Sequence, residues 1–186
     1  MKSESPPYST AAYAAFQENY RQESDRGVVI LAGSYLERAL EQRLKSHLVE
    51  HKNTDVLFEG YGPLSSFAAK IDIAFSVGLL PVAIRGEFHR LRKIRNFCAH
   101  EDGAVSFSNP RLAELCGGLE VAGGVEKCGG GKYKVSGARQ QFLFSIWWVL
   151  IHLEAQADRL PPLTVASARM HVETSDTKHQ QEADPN

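Results

Sequence analysis

Apolar side chains recur three and four residues apart along most of the chain between residues 9 and 162, a spacing typical of amphipathic α-helices. The clearest helix follows Ser24, a suitable N-cap, and continues through Leu48 with leucines one turn apart. Further helices are predicted from about residue 10 through Tyr20, at about 64–78, from Pro81 to about 101, from Asn109-Pro110 to about 117, and at about 138–159. The pattern predicts an all-α fold, a single-domain helical bundle.

The last predicted helix is apolar on nearly all sides. Its stretch FLFSIWWVLIHL, from Phe142 to Leu153, is 12 residues long, whereas a membrane-spanning helix needs about 20. A buried helix without a polar face must be covered on two sides. A second subunit is one candidate for part of that cover, with Trp147 and Trp148 in the core or in the interface. We therefore predict a homodimer, formed through this helix or through the helix after Pro81.

Both ends and one internal segment lack a periodic apolar face. Residues 1–8 and the polar tail 163–186 are predicted to be flexible and disordered, leaving a helical domain over 9–162. Glycines crowd the segment 117–137, just before the last helix. The sequence around Gly129–Gly131 predicts a small glycine-rich hairpin or loop there.

Composition indicates a cytoplasmic protein without a metal or cofactor. The three cysteines, Cys98, Cys116 and Cys128, have no metal-ligand spacing, and no basic-then-apolar leader follows Met1. The formal net charge of -1 argues against binding polyanions over the whole surface. Contact with nucleic acid would therefore need a local basic patch.

The stretch LRKIRNFCAH, Leu91 to His100, supplies such a patch within the helix after Pro81. At about 100° per residue, its apolar side chains and those before it share one face, formed by Ile84, Phe88, Leu91, Ile94 and Cys98. The opposite face is polar and mostly cationic, and its members are Arg85, His89, Arg92, Lys93, Asn96 and His100. We predict the first face to be core and the second to be a binding or interface surface.

Arg95 departs from this division, because helical geometry places it at about 40° from Leu91, on the apolar side. An unpaired guanidinium there would be costly. The sequence offers three carboxylates for a structural ion pair, Asp72, Asp25 and Glu37, and does not choose among them. A partner surface is the remaining alternative. Gly33, inside the long helix, predicts a close crossing by another helix.

Arg95-Asn96-Phe97-Cys98-Ala99-His100 resembles the R-x4-H motif of the HEPN superfamily of small helical domains. That resemblance implies an alternative function, a metal-independent RNase or toxin acting as a dimer. His100 would then carry acid-base chemistry, Arg95 would stabilise phosphate charge, and Asn96 would support them. In one regular helix Arg95 and His100 differ by about 140°, so they converge only if the helix loosens or two copies face each other.

Four longer blocks resemble the mannitol operon repressor family (MtlR/YggD type). In chain order they are SDRGVVILAGSYLERALEQRL, LFEGYGPLSSFAAKIDIAFSVGLL, LRKIRNFCAH and FSNPRLAELC, within residues 24–116. This resemblance implies a small helical transcriptional regulator that represses a sugar-alcohol operon, with no catalytic residues. The chain has no helix-turn-helix signature, zinc finger or basic arm, so we expect repression through another regulatory protein. A net charge of +4 over residues 85–100 leaves direct nucleic-acid contact as a weaker alternative.

Overall fold

The computed structural model describes residues 10–121, 135–157 and 160–164. In those ranges the regular elements are seven helices and no strands, which confirms the predicted all-α fold. The helices are α1 (Thr10–Glu18), α2 (Asp25–His47), α3 (Lys52–Val56), α4 (Phe67–Ser76), α5 (Val82–His100), α6 (Pro110–Gly117) and α7 (Ala138–Ala157). The predicted hairpin around Gly129–Gly131, the N-terminal residues 1–8, and the tail beyond residue 164 lie outside the described residues.

Helix α2 forms the centre of the bundle and packs against α4, α5 and α7. It begins where the sequence predicts, because the Ser24 hydroxyl accepts a hydrogen bond from the Gly27 N–H at 3.1 Å. Leucines and small apolar residues three and four positions apart along α2 are fully buried. One such stripe facing three neighbours explains why this helix forms the axis of the core.

Helix α7 is covered by the chain's own helices, because it packs against α1, α2, α5 and α6. One side, with Phe142 and Ile146, joins the main core. The other side joins a smaller cluster, in which Tyr13 of α1 packs edge-on against Phe144 and also contacts Trp147. The apolar character of α7 therefore needs no second subunit to explain it.

Two local features differ from the prediction. Helix α4 begins at Phe67 rather than near residue 64, because the Leu64 N–H donates to the Leu57 carbonyl at 2.8 Å and holds that residue in a turn. Ser66 then caps the helix, its hydroxyl accepting from the Ala69 N–H at 3.2 Å. The short helix α3 was not predicted, and it has no buried residue and hence no apolar pattern to reveal it.

The other ends agree with the sequence prediction. Pro81 and Glu101 flank α5, and Asn109 caps α6 with its side chain accepting from two N–H groups. Across the described residues, none of the helices has both the length and the apolar character that a bilayer crossing requires.

Candidate functional site

Helix α5 presents the two faces that its sequence predicts. The apolar face is in the core, with Phe88, Ile94 and Cys98 fully buried and Ile84 and Leu91 nearly so. The residues of the opposite side are half-buried or exposed, and we call this side the α5 cationic face: Arg85, His89, Arg92, Lys93, Asn96 and His100. A ligand or partner could pair only with those polar side chains that have no partner inside the chain.

The N-terminal part of the α5 cationic face is engaged by Asp72 of α4. Arg85 donates to Asp72 Oδ1 through Nη2 at 2.6 Å and Nε at 3.1 Å, and His89 Nε2 lies 3.2 Å from the same oxygen. The hydrogen bond from Arg85 is the largest effect on the pKa of Asp72, and together with His89 it outweighs the opposing effect of burial and holds that pKa below its usual value. Asp72 therefore pairs with the face of α5 and not with Arg95.

Arg95 contacts Glu37 of α2, one of its three candidate partners. Its Nη2 lies 3.3 Å from Glu37 Oε2, and its Nη1 donates to Asn96 Oδ1 at 3.2 Å. The Arg95 side chain is 31% exposed, so it lies at the edge of the core rather than inside it. A Cβ on Gly33 would lie 3.0 Å from Arg95 Cγ, so this glycine gives the arginine room to cross α2. The third candidate, Asp25, is instead bound by Arg139 at 2.6 Å.

Lys70 of α4 extends this ion pair, and sequence reasoning missed it. Its buried ammonium lies 3.1 Å from Glu37 Oε1 and 2.8 Å from Glu41 Oε2. Burial would lower the pKa of Lys70, but the hydrogen bonds that Lys70 donates to the two glutamates outweigh it and raise the pKa. The signal was present, because Lys70 lies on the same face of α4 as Phe67, Ile71 and Ala74.

A cleft opens between the start of α4 and the polar side of α5, with a volume of about 320 Å³. We call it the Arg92 cleft, and its lining residues are Glu37, Ser65, Ser66, Phe67, Ala68, Arg92, Arg95 and Asn96. Arg92 Nε is buried without a hydrogen-bond partner, and no ion pair or hydrogen bond joins Arg92 to another described residue. The cleft thus contains two guanidinium groups, that of Arg95, which is paired with Glu37, and that of Arg92, which has no partner among the described residues.

A second depression lies on the outer side of Arg92, and its lining residues are His89, Arg90, Arg92, Lys93 and Asn96. Arg92 and Asn96 therefore border both spaces. Lys93 is exposed and, like Arg92, makes no ion pair within the described part of the chain. The middle of the α5 cationic face is consequently open for an external acidic group.

His100 is exposed at the end of α5 and lines neither space. Arg95 donates to Asn96, but within the described residues no hydrogen bond or ion pair joins His100 to either of them. The end of the helix is held by Arg26, whose Nη2 donates to the Gly103 carbonyl at 2.7 Å and to that of Glu101. One chain thus leaves the three residues of the R-x4-H pattern unassembled.

The cysteines offer no nucleophile among the described residues. Cys98 and Cys116 are buried and unpaired, and burial raises the pKa of the first to about 11 and of the second to about 12. Both remain protonated thiols near neutral pH. In the same ranges, no group of three or more His, Cys, Asp or Glu side chains is arranged to hold a metal ion.

Glu87 is a further polar residue that sequence reasoning missed. It is fully buried, and its carboxylate accepts from the N–H groups of Glu120 at 3.1 Å and Val121 at 3.3 Å, with Arg90 Nη1 at 3.4 Å. The helical geometry that singled out Arg95 also places Glu87 within about 40° of Leu91, on the core side.

The similarity of this chain to known proteins lies in its fold. No protein-family model and no curated protein matches the chain. Among solved structures, the chain is similar to one in the X-ray structure of the MtlR–HPr complex from Escherichia coli, with a TM-score of 0.58 and 13% sequence identity. The match covers 77% of this chain and 98% of that one. The fold is MtlR-like.

Proposed function

We propose that this protein is a negative regulator of a sugar-alcohol operon and that it acts through contacts with another protein in the cytoplasm. The observation that carries the proposal is the MtlR-like fold, which covers 98% of the matched chain. Four sequence blocks within residues 24–116 are the basis of the expectation of a regulator of the mannitol operon repressor type, although no protein-family model matches the chain. Fold and sequence pattern thus favour the same kind of protein.

The α5 cationic face is the docking surface in this proposal. Arg92 and Lys93 have no partner within the described chain, while Arg85 and His89 share the single carboxylate of Asp72. An acidic partner surface would pair with these cations. Charged residues at the rim of an interface act mainly on the association rate and on partner choice. Contact with nucleic acid is the weaker alternative, because few phosphates could be reached by one short helix face.

We take an HPr-type protein as the partner, because the matched structure is a complex that contains HPr. Isothermal titration of the purified chain with HPr from the same cell tests this choice. We expect saturable binding, weakened on the order of 10-fold by Lys93→Glu, since charge reversal makes the contact repulsive. Arg38→Glu is the matched control, because Arg38 is exposed on α2 and lines neither space beside α5. Wild-type affinity in Lys93→Glu would contradict the docking surface.

Repression itself is tested by transcript levels in cells that lack the protein. During growth on a sugar alcohol, we expect the transcripts of its uptake and oxidation genes to rise above those of the parent strain. Wild type and Arg38→Glu should restore repression, whereas Lys93→Glu should not. Unchanged transcripts across several sugar alcohols would contradict the regulator proposal.

The homodimer remains a prediction. Because α7 is covered within its own chain, its apolar side chains no longer favour that helix as the place where two copies would meet. Sedimentation equilibrium should give twice the chain mass of 20.6 kDa. A single-chain mass at concentrations well above those in the cell would argue against it.

A further inference from the structure

Hydrogen-bond donors outnumber acceptors in the Arg92 cleft. The guanidinium of Arg92 carries five N–H groups, and no described residue accepts from them. Its Nε is already removed from solvent by the surrounding protein. A half-buried cation that lacks an acceptor is costly for the protein alone, and an anion in the cleft would supply the missing acceptors.

Other donors point to the same space. Asn96 accepts from Arg95 through Oδ1, so its Nδ2 group remains to donate. The Ser65 hydroxyl has no hydrogen bond within the described chain, and the Ser66 hydroxyl, which accepts from the Ala69 N–H, keeps its own proton to donate. The first N–H groups of α4 belong to Phe67 and Ala68, which also line the cleft. The donors thus come from both walls.

The carboxylate of the cleft is already paired. Glu37 is its one carboxylate, and it accepts from Lys70 through Oε1 and from Arg95 through Oε2. Its charge is therefore compensated before any ligand arrives. What remains is the positive charge of Arg92, surrounded by neutral donors. Such a set matches an oxyanion that offers acceptors in several directions, as a phosphate group does.

We infer that the Arg92 cleft binds the phosphate group of a small phosphorylated metabolite. The volume of about 320 Å³ lies at the lower end of ligand pockets in proteins, which suits a ligand the size of a sugar phosphate. Choosing a sugar-alcohol phosphate rests on the proposed function, whereas the anion site rests on the donors alone. Since Arg92 also borders the α5 cationic face, the ligand would lie next to the docking surface.

Isothermal titration of the full chain at constant ionic strength tests the site. The probes are a hexitol 1-phosphate, inorganic phosphate and the unphosphorylated hexitol. We expect saturable binding of the hexitol phosphate, weaker binding of inorganic phosphate and none of the hexitol. Arg92→Gln should weaken binding on the order of 10-fold or more, and Ser65→Ala should weaken it several-fold. Arg38→Gln removes an exposed arginine that does not line the cleft and should bind as wild type does.

The titration results test the anion site and the choice of ligand separately. Inorganic phosphate that binds as tightly as the hexitol phosphate supports the anion site and assigns it to free phosphate. No saturable heat with either phosphate probe overturns the site, as does equal affinity in wild type and Arg92→Gln. If Arg92→Gln does not fold, Ser65→Ala decides in its place. Because these titrations need no partner, they can fail while repression and HPr binding succeed, and the reverse also holds.

Discussion

Two polar clusters of this protein contain an arginine beside a carboxylate and differ in how completely their hydrogen bonds are made. At Asp25, one carboxylate accepts from Arg139 at 2.6 Å, the Phe107 N–H at 2.9 Å and Ser106 at 3.0 Å. Arg139 also donates to the Tyr20 carbonyl at 2.8 Å. In the Arg92 cleft, Arg95 has two longer contacts, at 3.2 and 3.3 Å, and Arg92 has none within the described chain.

This difference separates a structural cluster from a binding cluster. The Asp25 cluster joins α2, α7 and the segment before α6, and its donors and acceptors match, so its contribution is to stability. Glu87 belongs to the same class, because its buried carboxylate fixes the backbone of residues 120 and 121. Arg92 makes no hydrogen bond or ion pair to another described residue. We therefore expect its substitution to weaken binding and to leave the free energy of unfolding nearly unchanged.

The largest effect is expected at Glu87. Replacing it by alanine leaves the N–H groups of Glu120 and Val121 without their acceptor and removes a fully buried carboxylate, which should cost about 3 kcal/mol. Urea denaturation measures this loss as a lower midpoint at an unchanged slope. Glu114→Ala is the control, since Glu114 pairs with Arg111 on the exposed surface, and its loss should stay below about 0.5 kcal/mol. Similar losses in the two variants would refute the structural assignment of Glu87.

Asp25 should come next, with a loss of about 2 kcal/mol for Asp25→Asn at pH 7. Burial would raise the pKa of Asp25, but hydrogen bonds from Phe107, Ser106 and Arg139 outweigh it, and the pKa is lowered. The unfolded-state value is about 3.9. Asp25 therefore stabilises the fold above that pH, and this contribution is lost as the pH falls through the folded-state pKa.

Thermal denaturation at several pH values checks the Asp25 prediction. At pH 7 the variant should melt about 4–8 °C below wild type, and the gap should narrow on acidification below about pH 4. A gap that is constant with pH would show that the Asp25 charge contributes nothing.

A smaller contrast is expected between neighbouring arginines of α5. Arg95→Ala should cost about 1 kcal/mol, discounted because the Arg95 side chain is 31% exposed, and it would leave Glu37 with Lys70 alone. Arg92→Ala should cost less than about 0.5 kcal/mol, because it removes no hydrogen bond or ion pair to a described residue. Urea midpoints measured side by side decide the order. Equal losses would place Arg92 among the structural residues and remove the basis of the comparison.

The sequence predicted the helices whose buried faces repeat every three or four residues, and it predicted the caps at Ser24 and Asn109. It failed where local hydrogen bonds override that pattern, as at Leu64, and where a helix buries nothing, as in α3. Charged partners were harder to predict, because Arg95 and Glu37 are 58 positions apart in the chain. Only tertiary packing shows that Arg92 lacks a partner while Arg95 has two.

The central claim is that the open cations of α5 form the docking surface for a protein partner. Amide chemical shifts of the labelled chain, recorded by NMR while HPr is added, test it most directly. We predict that the largest changes fall on α5 between His89 and Asn96, with little change at Leu31 and Tyr35, the exposed apolar residues of α2. The largest changes at Leu31 and Tyr35, or no change at saturating HPr, would contradict the claim.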